Sequence, residues 1–337
     1  MRVVLDWRPA RRMLGWPPRM PPKVTTILLN WNRYELSRAC IESLARVTYP
    51  NHSIVLVDNA SADGSGPRLH RDFPEIEYVQ NHDNAGFSRG CNEGIKRALE
   101  LGTDYVLLLN NDSIVEPNFL EPLVSLLEGD DSIGMASGKI YLSDRRTLWF
   151  AGARVSRVAG SVVVRGHKQP DQGLFDHTEE SKGCTGAMMF IRKRVIDLVG
   201  PLPPEYFFGT EEWDYSLTVR RAGFKLYYCP ASVVFHQADG SHDNLAPMYL
   251  YCGMRNRLTF QSKFLPRQLF HLWSLTYSFY VHHIAGLRLK LTSSQLHAFR
   301  AAHEQAVRDH EQRGSYVTEE DLLRFDREYA AALRARP

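Results

Sequence analysis

The stretch Asp104-Tyr105-Val106-Leu107-Leu108-Leu109-Asn110-Asn111-Asp112 decides how this chain is read, because a continuous apolar run ends abruptly in three small polar side chains. A run that is apolar at every position reads as a central strand of a parallel sheet, buried on both faces. Ligands of open α/β sheets bind beyond the carboxyl ends of such strands, and here a carboxylate with two amide neighbours stands at that end. Asp112 is therefore a candidate metal ligand, with Asn110 and Asn111 beside it. A strand-ending Asx-turn is the alternative these residues alone leave open.

Working outward, the same alternation recurs upstream. Val24 to Leu29, Ser53 to Val57 and Ile76 to Gln80 read as strands, with helices at Tyr34 to Arg46, Gly64 to Phe73 and Ser88 to Leu101. Repeated βα units imply an α/β fold with a parallel sheet. Right-handed crossovers put every strand-to-helix loop on one edge, so Asn30, Asp58, Asn84 and Asp112 are expected to gather there. Beyond Pro117 the pattern becomes mixed, with strands expected at Gly134 to Ile140, Ala187 to Ile191 and Lys225 to Tyr228. After Met254 it is almost wholly helical. Thr292-x-x-Gln295 and Thr318-x-x-Asp321 fit capping boxes, and Gly314 reads as a helix stop between the last two helices.

A formal net charge of +3, with no groove-tracking Lys/Arg run, argues against a nucleic-acid partner. The five cysteines are odd in number and scattered without a Cys-x-x-Cys pair, which points to reduced thiols in a cytoplasmic protein. No uninterrupted apolar segment marks a secretory signal, and residues 1–22 read as an irregular arm rich in Arg, Trp and Pro. Gln268 to Leu287 carries no formal charge and is flanked by Arg267, Arg288 and Lys290. Phe270, Trp273, Tyr277, Tyr280, Ile284 and Leu287 recur in it at helical spacing, an aromatic stripe that suits a packed helix or a helix lying on a membrane surface. Its polar residues argue against a true span.

The first strand is followed by Asn30-Trp31-Asn32-Arg33 rather than a glycine-rich turn, which disfavours a dinucleotide-binding dehydrogenase, and a Walker-type motif is absent. Any nucleotide on this sheet must be held by side chains and a metal. Asp58 closes the second strand, where its carboxylate can accept from a base or ribose, or else form a turn. The loop Asn84-Ala85-Gly86-Phe87 suits close backbone approach to a flat ligand. Glu211-Glu212-Trp213-Asp214 crowds three carboxylates at a helix start. Capping explains part of that, and crowding with burial would raise proton affinity as a general base requires. Ser232-Val233-Val234-Phe235 reads as a strand ending at His236, placed to reach the same metal as Asp112.

With these motifs in this order, the chain resembles the inverting nucleotide-sugar glycosyltransferases of family two, and within them the rhamnosyltransferase-like branch. The resemblance runs from about residue 23 to about 262. It rests on Ile27 to Asn32, Val57 to Gly64, Asn84 to Phe87, Leu109 to Asp112, Gly183-Cys184-Thr185-Gly186-Ala187-Met188, Glu211 to Asp214, Arg221-Ala222-Gly223-Phe224, His236, and Arg255-Asn256-Arg257.

The resemblance implies a GT-A fold, in which a Rossmann-like nucleotide-binding sheet (23–262) merges with a mixed acceptor-binding half, here followed by a C-terminal helical extension (263–337). It implies Mn²⁺ or Mg²⁺ on Asp112 and His236. Donor contacts are implied at Asn30, Asn32, Asp58, Asn84, Gly86, Asn110, Asn111 and Arg255. An acceptor side is implied at Gly183, Thr185, Gly186, Trp213 and Asp214. Two departures stand out: Asn110 replaces the first carboxylate of the family's Asp-x-Asp motif, and Glu212 falls where the family's basic Asp would be, with Glu211 in reserve. A dTDP- or UDP-sugar donor, a glycan or lipid-linked acceptor, and action at the inner face of the plasma membrane follow by resemblance, as does an oligomer as one option. A catalytically silent sugar-nucleotide-binding or scaffold protein on the same fold is the alternative. A glycoside hydrolase fits poorly, since neighbouring glutamates seldom straddle a sugar at the required separation.

Overall fold

Four strands, three of them apolar runs, build the parallel part of the central sheet in this computed structural model, which describes residues 20–156, 161–237, 247–312 and 317–334. They are β1 (Val24–Asn30), β2 (His52–Asp58), β3 (Glu77–Gln80) and β4 (Tyr105–Asn110), ordered β3-β2-β1-β4 and all parallel. Side chains of a strand alternate between faces. In β4, Tyr105, Leu107 and Leu109 enter one core while Val106 and Leu108 enter the other, so the unbroken apolar run reflects helices on both sides. Helices α1 (Tyr34–Leu44) and α2 (Ser65–Asp72) cover the first face through Cys40, Ile41, Leu44 and Leu69. Helix α3 (Gly86–Glu100) covers the second through Cys91, Ile95 and Ala98. The order reverses between β1 and β4, and the crevice beyond their carboxyl ends is where such sheets take ligands.

The rest of the sheet is mixed. The chain leaves β4 through a tight turn into β5 (Ser113–Val115), then α4 (Leu120–Gly129), β6 (Ile133–Leu142) and β7 (Leu148–Phe150). A small hairpin, β8 (Ala153–Ser156) with β9 (Ser161–Val164), precedes β10 (Glu179–Ser181), β11 (Met188–Arg192), α5 (Lys193–Val199), α6 (Glu211–Arg221) and β12 (Lys225–His236). β11 lies antiparallel between β4 and β6 and so welds the two halves into one ten-stranded sheet. The sequence reading took Lys225 to Tyr228 and Ser232 to Phe235 as separate strands, but β12 is continuous. Its ladder with β6 shifts register between Cys229 and Val233, around Pro230, whose missing N–H requires such an irregularity.

From Pro247 onward the described chain is helical: α7 (Pro247–Phe264), α8 (Arg267–Phe279), a π-helical turn (Tyr280–Ile284), α9 (Ala285–Leu289), α10 (Ser293–Glu311) and α11 (Glu319–Arg334). Both capping boxes form: Gln295 N–H donates to Thr292 Oγ1 at 3.2 Å and Asp321 N–H to Thr318 Oγ1 at 3.2 Å. The N-terminal arm up to residue 19 and Gly314 lie outside the described residues. Tyr251, Met254 and Leu258 of α7 share a core with Phe299, Ala302 and Leu322, so the expected boundary at residue 262 falls within a helix that packs with its successors.

Candidate active site

The end of β4 brings Asp112 and His236 together by register. Asn111 and Asp112 turn the chain into β5, and β5 pairs antiparallel with the end of β12, setting Ser113 opposite His236. The Gln237 N–H donates to the Asp112 carbonyl at 2.8 Å and locks the turn. His236 Nε2 then lies 2.9 Å from Asp112 Oδ1 and 3.3 Å from Asn110 Nδ2. The imidazole is buried, with the indole of Trp149 edge-on at 4.8 Å between ring centroids. Trp149 carries no signal in the sequence, because only the pairing of β7 with β6 brings it there.

His236 Nδ1 is buried without a hydrogen-bond partner, as is Asp112 Oδ1 apart from its contact with His236 Nε2. A carboxylate and an imidazole left short of partners fit a divalent cation whose remaining positions go to phosphate and water. No cluster of three or more His, Cys, Asp or Glu side chains with metal-binding geometry occurs among the described residues, in keeping with Asn110 standing where a second carboxylate would.

Beneath this pair runs a buried amide network. Asn111 Nδ2 donates to Ser37 Oγ at 2.7 Å, and Ser37 Oγ donates to Asn30 Oδ1 at 2.7 Å. Asn30 Nδ2 donates in turn to Asp58 Oδ1 at 2.8 Å and to Ser65 Oγ at 2.8 Å. Asp58 sits at the centre of this network. Its side chain is fully buried and accepts from Asn30, the Ser61 hydroxyl (2.6 Å), the Ser61 N–H (3.1 Å) and Gln80 (2.9 Å), so its acceptor capacity is taken by the protein itself. Gly66 permits this closeness, since a Cβ there would sit 2.2 Å from Asp58 Cγ. Asn32, in the left-handed region at φ 54°, accepts from the N–H groups of Ala62 (2.8 Å) and Asp63 (3.2 Å) and shapes the same rim.

The Asn84 loop is tied in three directions. Asn59 Nδ2 donates to Asn84 Oδ1 at 2.7 Å, Phe87 N–H to the Phe207 carbonyl at 2.6 Å, and Asn84 Nδ2 to Glu319 Oε1 of α11 at 3.1 Å. Gly86 has φ +76°, and a Cβ on it would lie 2.3 Å from the Phe207 carbonyl oxygen, so only glycine fits. The link to Glu319 is a contact that capping patterns do not announce.

Glu211 and Glu212 open α6 after Thr210, which is itself left-handed at φ 82°. Burial pushes the Glu212 carboxyl up to about 7. Glu211 is driven well above the ordinary carboxylate range, chiefly by burial and then by the charge of Glu212. Each has one buried oxygen, Oε2, with no hydrogen-bond partner. Gly186 faces Glu212: a Cβ there would meet the Phe87 ring at 3.5 Å and Glu212 Cβ at 3.8 Å. The Asn110 N–H donates to the Ala187 carbonyl at 3.0 Å, so the Gly186 turn connects Glu212 to the Asp112 edge. Thr185, buried, closes that turn by accepting the Met188 N–H at 3.2 Å.

The other acceptor-side expectations divide. Trp213 lies under Gly183, whose Cβ would meet the indole at 3.0 Å, and forms a wall. Asp214 is buried, accepting from Tyr206 at 2.7 Å and paired with Lys263 at 2.6 Å. Arg255 is buried too. Its guanidinium donates to the Glu205 carbonyl at 2.8 Å, bracing the loop before α6 with Asn256, which donates to the Gly209 carbonyl at 2.6 Å.

A profile of the family described as Glycosyltransferase like family 2 matches residues 21–247, and the chain belongs to that family. It is 25% identical over 242 residues to the O-antigen biosynthesis protein RfbC of Myxococcus xanthus, an alignment covering 69% of this chain and 19% of that protein. It is 22% identical over 214 residues to the N-acetylglucosaminyl-diphospho-decaprenol L-rhamnosyltransferase of Mycobacterium tuberculosis, covering 58% of this chain and 70% of that one. The chain spans only 27%, 19% and 14% of the lengths of three curated relatives it matches. Among solved structures, the mannosyltransferase PcManGT of Pyrobaculum calidifontis, determined with GDP-Man and Mn²⁺, superposes with a TM-score of 0.53 at 14% identity over 98% of this chain and 86% of that chain. The fold is GT-A with added C-terminal helices.

Proposed function

We propose that this protein transfers a sugar, with inversion at the anomeric carbon, from a nucleoside diphosphate sugar to a hydroxyl of a glycan or lipid-linked acceptor. One observation carries the reading: the Asp112–His236 pair and the Glu211–Glu212 pair are joined through Asn110, Ala187 and Gly186 at one sheet edge. Asp112 and His236 would hold Mn²⁺ or Mg²⁺, which when bound supplies positive charge to a diphosphate leaving group.

Glu212 takes the proton of the acceptor hydroxyl. A carboxyl raised to about 7 is a stronger base than an ordinary one and is still substantially ionised near neutrality. Burial and the charge of Glu212 favour the protonated form of Glu211, which spares Glu212 a second negative neighbour. Gly186 leaves the approach to Glu212 open, and Trp213 backs it. Asn30, Asn32, Asn84 and Gly86 shape the donor rim, with Asp58 ordering that rim from beneath.

Rhamnose as the sugar, a dTDP or UDP carrier, and a lipid-linked acceptor at the inner membrane face of a bacterium draw support from the rhamnosyltransferase and O-antigen relatives. The test is a panel of dTDP-, UDP- and GDP-sugars with lipid-linked and oligosaccharide acceptors, the product's anomeric configuration being read by NMR. Inversion is expected. A retained configuration contradicts the single-displacement route. Donor binding without transfer to any acceptor favours a silent sugar-nucleotide-binding protein.

A further inference from the structure

We propose that the outward face of α8, the π-helical turn and α9 docks onto an anionic lipid bilayer. The inference extends the reading of a lipid-linked acceptor and specifies the surface that meets the membrane. Of the aromatic stripe, Trp273, Tyr277 and Tyr280 pack on the core formed by α7, α10 and α11. What remains outside is a row of aliphatic and aromatic side chains, Leu269, Leu272, Leu275 and Phe279 at three- and four-residue spacing and Leu287 two turns further on, with Leu275 71% and Leu287 84% exposed. No residue of α8 is fully buried. A row this continuous on a helix surface marks an interaction face.

Charge selects the occupant. From Pro247 to His303 the sequence contains no Asp or Glu, although acids and bases nearly balance over the whole chain. Arg267 stands at the head of the row and Arg288 and Lys290 at its end, all exposed and none ion-paired among the described residues. A second copy of the chain would bring these cations together with no acid in the segment to answer them. A bilayer bearing anionic headgroups satisfies both features, accepting the apolar row at the acyl boundary and the cations at the phosphates. The segment lies on the bilayer and does not cross it, because no helix among the described residues is long and apolar enough to span.

The test is co-sedimentation of the full chain with vesicles of phosphatidylcholine alone and of phosphatidylcholine mixed with phosphatidylglycerol, with sedimentation velocity run without vesicles. Binding to the mixed vesicles at low salt is expected, weakening as salt screens the headgroups. Leu272→Asp with Leu275→Asp should lower the partition coefficient by about tenfold or more for each leucine. Arg288→Glu with Lys290→Glu should shift binding toward salt independence; its fold, and that of the leucine variant, is checked by circular dichroism. Equal binding to both vesicle types, undiminished binding of the leucine variant, or a dimer that the leucine variant dissociates would overturn the proposal. Because neither donor nor acceptor enters the assay, failure here is separable from failure of the transferase reading.

Discussion

His236 Nε2 lies 2.9 Å from Asp112 Oδ1, although His236 ends the last strand of the chain, β12, and Asp112 sits in the turn that follows β4. The antiparallel pairing of β5 with β12 creates this contact. Neither side chain belongs to the apolar core, and Asp112 is a quarter exposed, 25% at the side chain. Asp112→Ala is therefore expected to abolish transfer while moving Tm by no more than about 3 °C, and His236→Ala to reduce transfer severely. Activity assays beside thermal melts check this. A folded, fully active alanine variant at either position would remove that residue from the site.

Glu212→Gln should cost about a hundred- to ten-thousandfold in kcat with donor affinity nearly preserved, since the amide keeps shape but cannot accept a proton. The same change at Glu211 should cost less. The wild-type rate should rise with pH through about 7 as Glu212 ionises. Stability runs the other way. Both carboxyls hold protons in the fold that the unfolded chain releases, so stability declines as pH climbs from the ordinary carboxylate range through about 7, and either Gln variant should melt higher than wild type at pH 8. Turnover and melts across pH 5 to 9 read both trends, on the order of the window the shift spans. A greater loss at Glu211 would exchange the roles.

Asp58→Asn places an amide where Asn30, Ser61 and Gln80 all donate, and is expected to destabilise the fold by about 1–3 kcal/mol. Donor affinity measured well below the melting range should fall less than stability does. Unchanged Tm with affinity reduced about tenfold or more would return Asp58 to direct nucleotide contact.

Glu319→Ala removes a side chain of α11 that holds Asn84, and with it an anchor of the Asn84–Phe87 loop. Donor affinity should weaken about threefold to tenfold, the value of one partly exposed hydrogen bond to a charged group, with little change in Tm. Calorimetric titration checks it. No change in affinity would make α11 a cover on the loop without influence on the donor.

The parallel half was legible because its signals are local. Apolar runs capped by Asn30, Asp58 and Asp112 mark strands and their carboxyl ends, and crossover handedness gathers those ends on one edge. Glu211 and Glu212 were legible because acid density at a helix start exceeds what capping needs. Burial of Asp214 against Lys263, of Asp58 under Gln80 and of Arg255 on the Glu205 carbonyl was not legible, since each depends on a partner distant in sequence. For the same reason periodicity located a stripe in 268–287 but not which face of it met the core: aromatic and leucine rows interleave there, and only the packing of α7 and α10 decides between them.

The most direct test of the account is nucleoside diphosphate release by the purified chain from a sugar-nucleotide panel, with Mn²⁺ and again with excess EDTA, for wild type and for Asp112→Ala. Release from at least one donor, dependent on metal and absent in the variant, is the predicted result. Release undiminished by EDTA and retained by Asp112→Ala would contradict the account at its centre.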